Sequence, residues 1–258
     1  MNMKLIRILL MAVCLLLSLP AMAQSSQGKP KRGGETTKTM QTSKTAKPAK
    51  PAKTSKASNA AKRKGPANVV ENGHEAVDMG LSVKWATCNI GAFSPSEFGD
   101  YLAWGELATK PTYTEENSET YKKAIGNITG NPQYDAARAK WGGNWRMPTA
   151  EEFQELIDGC IWEKRHTLDN VYKFIGYQVT SKSNGNSIFL PAGGIFKTQI
   201  ELYSLHSGHY WSGSSKSDPG LAAKEFYFDS HNKIRISWAS RDLGLSIRPV
   251  IEQEQTDK

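Results

Sequence analysis

Residues 141–160, WGGNWRMPTAEEFQELIDGC, contain the clearest local signal in the chain. Thr149 stands three residues before Glu152, which is the spacing of a capping box. In that motif the threonine hydroxyl accepts from the backbone amide of the glutamate, and the carboxylate reaches back to the backbone of the threonine. Apolar residues follow at helical spacing, so one face of the predicted helix is buried. These residues are Phe153, Leu156, Ile157 and Cys160.

A shorter helix is predicted immediately before this one, over residues 132–141. Pro132 can open a helix, and the pair Gly142-Gly143 can end it. On either side of the helices, apolar residues alternate with polar ones, which is typical of strands. Two helices flanked by short strands predict an α+β fold. The predicted strands and hairpins span residues 81–86, 101–104, 177–190, 225–238 and 245–251.

Both hairpins have specific signals. Asn184-Gly185 stands at the turn of the first, and both residues tolerate positive φ. In the second, residues 230–232 form the turn. Alternation along its two strands predicts that one set of side chains faces the core, namely Phe226, Phe228, Ile234 and Ile236.

The N-terminal region predicts export. Residues 1–23 have the pattern of a secretory signal peptide, since the basic residues Lys4 and Arg7 come before the unbroken apolar run 8–17. A small-x-small cleavage site follows at residues 21–23. We therefore expect a periplasmic, cell-surface or extracellular protein.

Residues 24–68 are predicted to be a disordered linker. They are rich in Lys, Ala, Pro and Thr and contain no aromatic residue, so they cannot bury enough surface to offset the entropy cost of ordering. All seven tryptophans lie in residues 69–258, which we predict to be the folded domain.

Charge is distributed unevenly along the chain. The net charge is +8, but residues 24–68 carry twelve basic groups and one acidic group, whereas residues 69–258 carry 19 basic and 24 acidic groups. A mildly acidic domain disfavours specific nucleic-acid binding, which needs clustered positive charge. No apolar run reaches the ~20 residues of a transmembrane helix. The linker is either a tether or a contact to an anionic envelope polymer.

Two cysteines remain after the predicted cleavage, Cys88 and Cys160. Export permits a disulfide between them. Two buried free thiols are the alternative, and spacing alone does not decide between them.

No catalytic or metal-binding pattern is convincing. Ser230 and Lys233 have a Ser-x-x-Lys spacing but fall on a predicted turn. His206 and His209 lack a third ligand at suitable spacing. The sequence therefore predicts no catalytic residue, no metal site and no cofactor. A structural role is predicted instead for Trp145, Arg146, Pro148, Thr149, Glu152 and Arg248.

Residues 210–241 are dense in side chains that dominate binding hot spots, above all Trp, Tyr and Arg, with small polar residues around them. We predict that this segment contacts a ligand. The predicted contact residues are Tyr210, Trp211, Ser214, Glu225, Tyr227, His231, Trp238 and Arg241.

Four ordered stretches carry a family resemblance across about residues 75–250. They read VDMGLSVKWATCNIGA at 77–92, GDYLAWGE at 99–106, WGGNWRMPT at 141–149 and GLSIRPV at 244–250. Together they resemble the Fibrobacter succinogenes major paralogous domain, which is common in exported proteins of Bacteroidota.

The resemblance implies a C-type-lectin-like fold, distantly similar to formylglycine-generating enzymes and to the diversified ligand-binding proteins of retroelements. Those enzymes use a reactive cysteine pair late in the domain, and here no cysteine follows Cys160. The Glu-Pro-Asn and Trp-Asn-Asp triplets of calcium-dependent lectins do not occur. In the diversified binders, ligand contacts precede a terminal Gly-x-Ser-x-Arg motif, which maps here to residues 210–241.

Three hypotheses of function follow. The first is an exported, non-catalytic recognition module that binds a glycan or a protein through residues 210–241. The second is a structural envelope or adhesin-assembly protein without a soluble ligand. The third is an enzyme of unknown type, with Trp145, Arg146 and Glu152 lining its pocket.

Overall fold

A computed structural model describes residues 68–167, 173–198, 201–216 and 219–253, without the side chains of Glu201 and Leu202. The predicted signal peptide, and the predicted linker apart from Asn68, lie outside these residues. Across the described ranges, none of the helices has the length and apolar character needed to cross a membrane.

The first sheet joins the two ends of the described chain. Its four antiparallel strands are ordered β1-β2-β3-β12, so that Val250 of the last strand pairs with Trp85 of β3. The strand predicted at residues 81–86 is therefore confirmed, although it begins at Val83. The strands are β1 (Val69–Glu71), β2 (His74–Asp78), β3 (Val83–Ala86) and β12 (Val250–Glu252).

Two three-stranded antiparallel sheets and a two-stranded ribbon form the rest of the β structure among the described residues. Both predicted hairpins are confirmed, as β5–β6 and β10–β11. The sheet orders are β4-β5-β6, β11-β10-β9 and β7-β8. The strands are β4 (Cys160–His166), β5 (Phe174–Ser181), β6 (Ser187–Pro191), β7 (Ile195–Phe196), β8 (Glu201–Leu202), β9 (Ser207–Trp211), β10 (Ala222–Asp229) and β11 (Ile234–Ser240).

Two helices lie in the middle of the described chain, α1 (Ala136–Trp141) and α2 (Ala150–Gly159). The small antiparallel sheets together with these helices make the fold α+β, as the sequence predicted. The capping box of α2 is confirmed, since the Glu152 amide donates to Thr149 Oγ1 (3.2 Å) and the Thr149 amide donates to the Glu152 carboxylate (2.8 Å). Cys160, predicted on the helix face, instead begins β4.

Helix α1 is shorter than predicted because Asp135, rather than Pro132, starts it. The Asp135 carboxylate accepts from the Arg138 amide at 3.0 Å, and also from the amides of Gly130 and Met147. The predicted end is confirmed, since Gly142 caps the helix with a φ of 69°, which is favourable for a residue without Cβ.

Arg146 ties the segment before α2 to the helix and to β12. Its guanidinium donates to both Glu152 oxygens, at 2.9 and 2.6 Å, and to Glu252 at 2.6 and 2.8 Å. Burial opposes the charge of Arg146, but the two carboxylates outweigh it and raise its pKa. Trp145 is fully buried beside it, and the Pro148 carbonyl accepts from Gly213 at 2.8 Å. These contacts fit the predicted structural role.

Arg248 fits that role as well. It is fully buried and donates to the carbonyls of Ala86 (3.0 Å), Thr87 (3.1 Å) and Phe189 (3.0 Å), and to the Asn89 side chain (2.7 Å). Burial lowers its pKa. One side chain thus fixes the chain that follows β3 to the middle of β6.

The largest core cluster lies between β3, α2 and the sheets β4–β6 and β9–β11, and includes Trp85, Phe153, Tyr177 and Phe226. A second cluster joins α1 to the chain around Trp104. Both clusters pack against the sheet that carries residues 210–241, so that segment cannot be exposed on every side.

Two predicted strands differ from the structure. In residues 101–104, only Leu102 forms a bridge, with Leu245, and the Trp104 amide donates to the Arg241 carbonyl instead. The predicted strand 245–251 is interrupted before β12. Pro249 has no N–H for a ladder, and Arg248 turns its side chain into the interior.

The two cysteines are free thiols in the structure. Cys160 is buried, and burial raises its pKa to about 11. Cys88 is half-buried. The alternative predicted from the sequence is two buried free thiols, and of the two only Cys160 is fully buried here.

Candidate functional site

The predicted contact segment forms most of the sheet β9–β10–β11. Phe226 and Phe228 of β10 are buried in the core, and the β11 residues opposite them, Ile236 and Ile234, are partly buried against it. The prediction of the core-facing side of this hairpin is therefore confirmed. The ligand-contacting role of the remaining residues depends on where their side chains lie.

Tyr210 and Trp211 are buried, with exposed fractions of 1% and 0%. The Tyr210 hydroxyl donates to the Pro191 carbonyl at 2.6 Å, and the Trp211 indole donates to the Leu102 carbonyl at 2.8 Å. Burial raises the pKa of Tyr210. Tyr210 and Trp211 are therefore not the ligand contacts that the sequence predicted, since both side chains anchor β9 to the interior.

Arg241 also differs from its predicted role, because it is fully buried. Its guanidinium donates to the carbonyls of Lys123 (2.9 Å), Ile125 (2.7 Å) and Lys216 (2.8 Å), and lies over the Trp104 ring at 4.1 Å. Burial lowers its pKa to about 10, so it remains a cation at neutral pH. Arg241 holds the chain around residues 120–125 against the sheet and cannot touch a ligand here.

Glu225 is buried in a chain of hydrogen bonds across β9 and β10. Its carboxylate lies 2.8 Å from His209 Nδ1, and His209 Nε2 lies 3.1 Å from Ser207 Oγ. This order matches a nucleophile, base and acid triad. However, the exposed fractions of Ser207, His209 and Glu225 are only 5%, 8% and 6%. We interpret these three side chains as a buried network whose polar groups are hydrogen-bonded to one another. The prediction that Glu225 contacts a ligand at the surface is therefore wrong.

Ser214 is only partly accessible, and its hydroxyl accepts from the Ala150 amide at 3.0 Å. It therefore helps to satisfy the N-terminus of α2. His231 is exposed at the turn between β10 and β11.

Tyr227 is half-buried on the polar face of the sheet. Its hydroxyl donates to Asp229 at 2.9 Å, and Arg235 lies over its ring at 5.2 Å. Burial, together with the Asp229 carboxylate, raises the pKa of Tyr227 to about 12. The tyrosine edge is accessible, but its hydroxyl already has a partner.

Trp238 has the largest ring among the predicted contact residues that are accessible, and its exposed fraction is 43%. Lys224 Nζ lies 4.2 Å and Lys216 Nζ 5.8 Å from the centre of one of its rings. Lys224 is the cross-strand partner of Trp238. We call Trp238, Lys216 and Lys224 the Trp238 surface.

The two lysines were not predicted as site residues. Lys224 could have been found from the hairpin register, because a turn at residues 230–232 places it opposite Trp238. Lys216 precedes the hairpin and has no such signal, since its approach to Trp238 depends on tertiary packing.

No group of three or more His, Cys, Asp or Glu side chains suited to a metal ion occurs in the part of the chain that the structure describes. His206 is exposed, whereas His209 is bound to Glu225.

Comparison with models of protein families, with characterised proteins and with solved structures finds no match to this chain.

Proposed function

We propose that the protein is an exported, non-catalytic recognition module that binds an anionic ligand, an acidic glycan or an acidic protein segment, through the Trp238 surface. The observation that carries the proposal is a tryptophan that is 43% exposed and has two lysine ammonium groups against its ring. Trp is among the residues most enriched in binding hot spots.

The charge of this surface argues for an anionic ligand. Residues 69–258 carry more acidic than basic groups, so two lysines beside one aromatic ring depart locally from the character of the domain. A cation above the ring is attracted to its π face by about 0.5–1 kcal/mol at exposed sites. Both ammonium groups thus lie near one ring, where they can attract a carboxylate or sulfate.

Export, the C-type-lectin-like fold and the domain family belong to the same proposal. Export is supported by the pattern of residues 1–23, and the C-type-lectin-like fold and the major paralogous domain family by the four ordered sequence stretches. In support of one shared domain, the stretches contact one another. Arg248 of the last binds Thr87 of the first, and Leu102 of the second pairs with Leu245 of the last.

The test is binding of the full chain to two immobilised polyanions, polygalacturonate and poly-L-glutamate, in about 0.15 M salt, where unspecific attraction is screened. Trp238→Ala should weaken binding about tenfold, which corresponds to ~1.4 kcal/mol. The double variant Lys216→Gln/Lys224→Gln should do the same. The polymer that binds more tightly identifies the ligand class.

The matched control is Lys233→Gln, an exposed lysine immediately before β11 that is not part of the Trp238 surface. Its affinity should stay within about twofold of the wild type. All variants keep the basic segment 24–68, so its contribution is the same in every chain compared. Wild-type affinity in Trp238→Ala, or no binding to either polymer, would overturn the proposal.

A further inference from the structure

A cleft of about 390 Å³ opens between β2, the chain after β3 and the end of α1, away from residues 210–241. We propose that this cleft is a second ligand site, which takes a neutral pyranose saccharide. The side chains that carry the argument are His74, Glu75, Thr87, Cys88, Phe93 and Trp141.

Three rings line the cleft, those of His74, Phe93 and Trp141, whereas Trp145 lies buried behind Trp141. His74 stacks on Trp141 with ring centres 3.7 Å apart and an interplanar angle of 6°, and Trp145 contacts Trp141 edge-on at 5.0 Å. Phe93 also lines the cleft and is 96% exposed. Its ring is therefore free to contact a molecule that occupies the cleft.

The backbone that carries the cleft residues 75, 87 and 93 is held by the fold and does not depend on a ligand. Arg248 binds the carbonyls of Ala86 and Thr87, and the Thr87 amide donates to the Glu75 carbonyl at 3.0 Å. The Phe93 amide donates to the Glu97 carboxylate at 2.7 Å. A site formed before the ligand arrives loses less entropy on binding.

Gly91 sets the path of the chain between Thr87 and Phe93. Its φ is +75°, a conformation that glycine adopts readily. A Cβ at this position would lie 2.4 Å from Asp100 Cγ, so another residue would move the Phe93 side of the cleft.

The polar groups of the cleft select the ligand class. The Glu75 side chain is exposed and can accept from hydroxyl groups, and the Thr87 hydroxyl lies beside the Cys88 thiol at 3.7 Å. Burial lowers the pKa of His74, which favours its neutral form. Among the described residues that line the cleft there is no lysine or arginine.

Aromatic faces with a carboxylate at the rim and no cation match a ring that has C–H faces and hydroxyl edges. A pyranose has this chemistry, whereas an anionic ligand would be repelled by the Glu75 carboxylate, whose hydrogen-bond partner Asn68 is neutral. The cleft and the Trp238 surface therefore select opposite ligand charges, and the cleft does not depend on the proposed function.

The test is saturation-transfer NMR and calorimetry of the full chain with four neutral probes, the hexasaccharides of cellulose, chitin, xylan and mannan. We expect at least one probe to bind with a dissociation constant on the order of 0.1–1 mM, as for a small open site. Phe93→Ala should weaken that binding at least about tenfold. Because Phe93 is 96% exposed, the variant should fold normally.

A second variant and two controls make the result decisive. Ala92→Trp should block the cleft and abolish binding. Tyr203→Ala, which removes an aromatic ring that is 63% exposed and does not line the cleft, should bind as the wild type does. Trp238→Ala should also leave saccharide binding unchanged, which separates this inference from the proposed function. Failure of all four probes to bind, or full binding by Phe93→Ala, would overturn the inference.

Discussion

The sequence makes specific predictions for two segments, residues 141–160 and residues 210–241. The structure agrees with the predicted contacts of the first segment and with only part of the predicted contacts of the second. In the first segment, Thr149 and Glu152 make the contacts that their spacing predicts. In the second, Trp211 and Arg241 are buried whereas Trp238 is exposed, although all three were predicted as ligand contacts. A prediction from spacing concerns neighbours in the chain, but a prediction from composition cannot tell an inward side chain from an outward one.

The sharpest test of this difference is Arg241→Ala. The substitution removes a fully buried side chain that donates to three backbone carbonyls, so we expect a loss of about 3 kcal/mol in the free energy of unfolding. Urea denaturation measures it. Arg235→Ala, an exposed arginine on the same sheet, should change stability by no more than about 0.5 kcal/mol. Equal stability of the two variants would show that Arg241 is not the structural anchor described here.

A second test concerns the buried chain Ser207–His209–Glu225. Glu225→Ala leaves His209 Nδ1 without its partner and should cost about 1–3 kcal/mol of stability, measured by urea denaturation. A fluorophosphonate probe, followed by intact mass, should give no adduct at Ser207, because that hydroxyl is almost fully buried. An adduct that disappears in Ser207→Ala would instead identify a catalytic serine and contradict the proposed non-catalytic function.

The capping box gives a smaller expected effect within residues 141–160. Thr149→Ala removes the acceptor for the Glu152 amide and should lower the free energy of unfolding by about 1 kcal/mol, measured by thermal or urea denaturation. Thr149→Ser keeps an acceptor oxygen and should recover most of the loss. If serine and alanine destabilise equally, the hydroxyl is not what stabilises the start of α2.

The smallest expected effect is a pH dependence at His74, which stacks on Trp141. Burial lowers the pKa of His74 below its ordinary value of 6.5. Below about pH 6.5, the unfolded chain therefore takes up a proton that the folded chain resists, and this residue's contribution to stability falls as the pH falls. His74→Phe keeps an aromatic ring without the titration.

Urea denaturation of the wild type and His74→Phe at several pH values measures this effect. The stability of the variant relative to the wild type should rise as the pH falls through 6.5. A difference that stays constant with pH, or that moves in the opposite direction, would contradict the burial of the imidazole.

Much of the fold could be predicted because its signals are local. The hairpin β10–β11 has strict alternation around a short turn, and the end of α1 has a glycine pair. The pairing of Leu102 with Leu245 could not be predicted, since the two residues are far apart in the chain and each carries only an ordinary apolar side chain. The predicted start of α1 is wrong because Pro132 and Asp135 can both begin a helix, and Asp135 is the residue that caps it.

The candidate sites show the same division. Three features can be read from the sequence: the side chains that residues 210–241 offer, the capping box at Thr149, and the concentration of basic charge before the acidic domain. The folded chain was needed to show that Arg241 points inward, that Lys216 approaches Trp238, and that Phe93 and Trp141 line one cleft. Hydrogen bonds between near neighbours follow from their spacing, whereas the exposure of a side chain depends on which distant segments cover it.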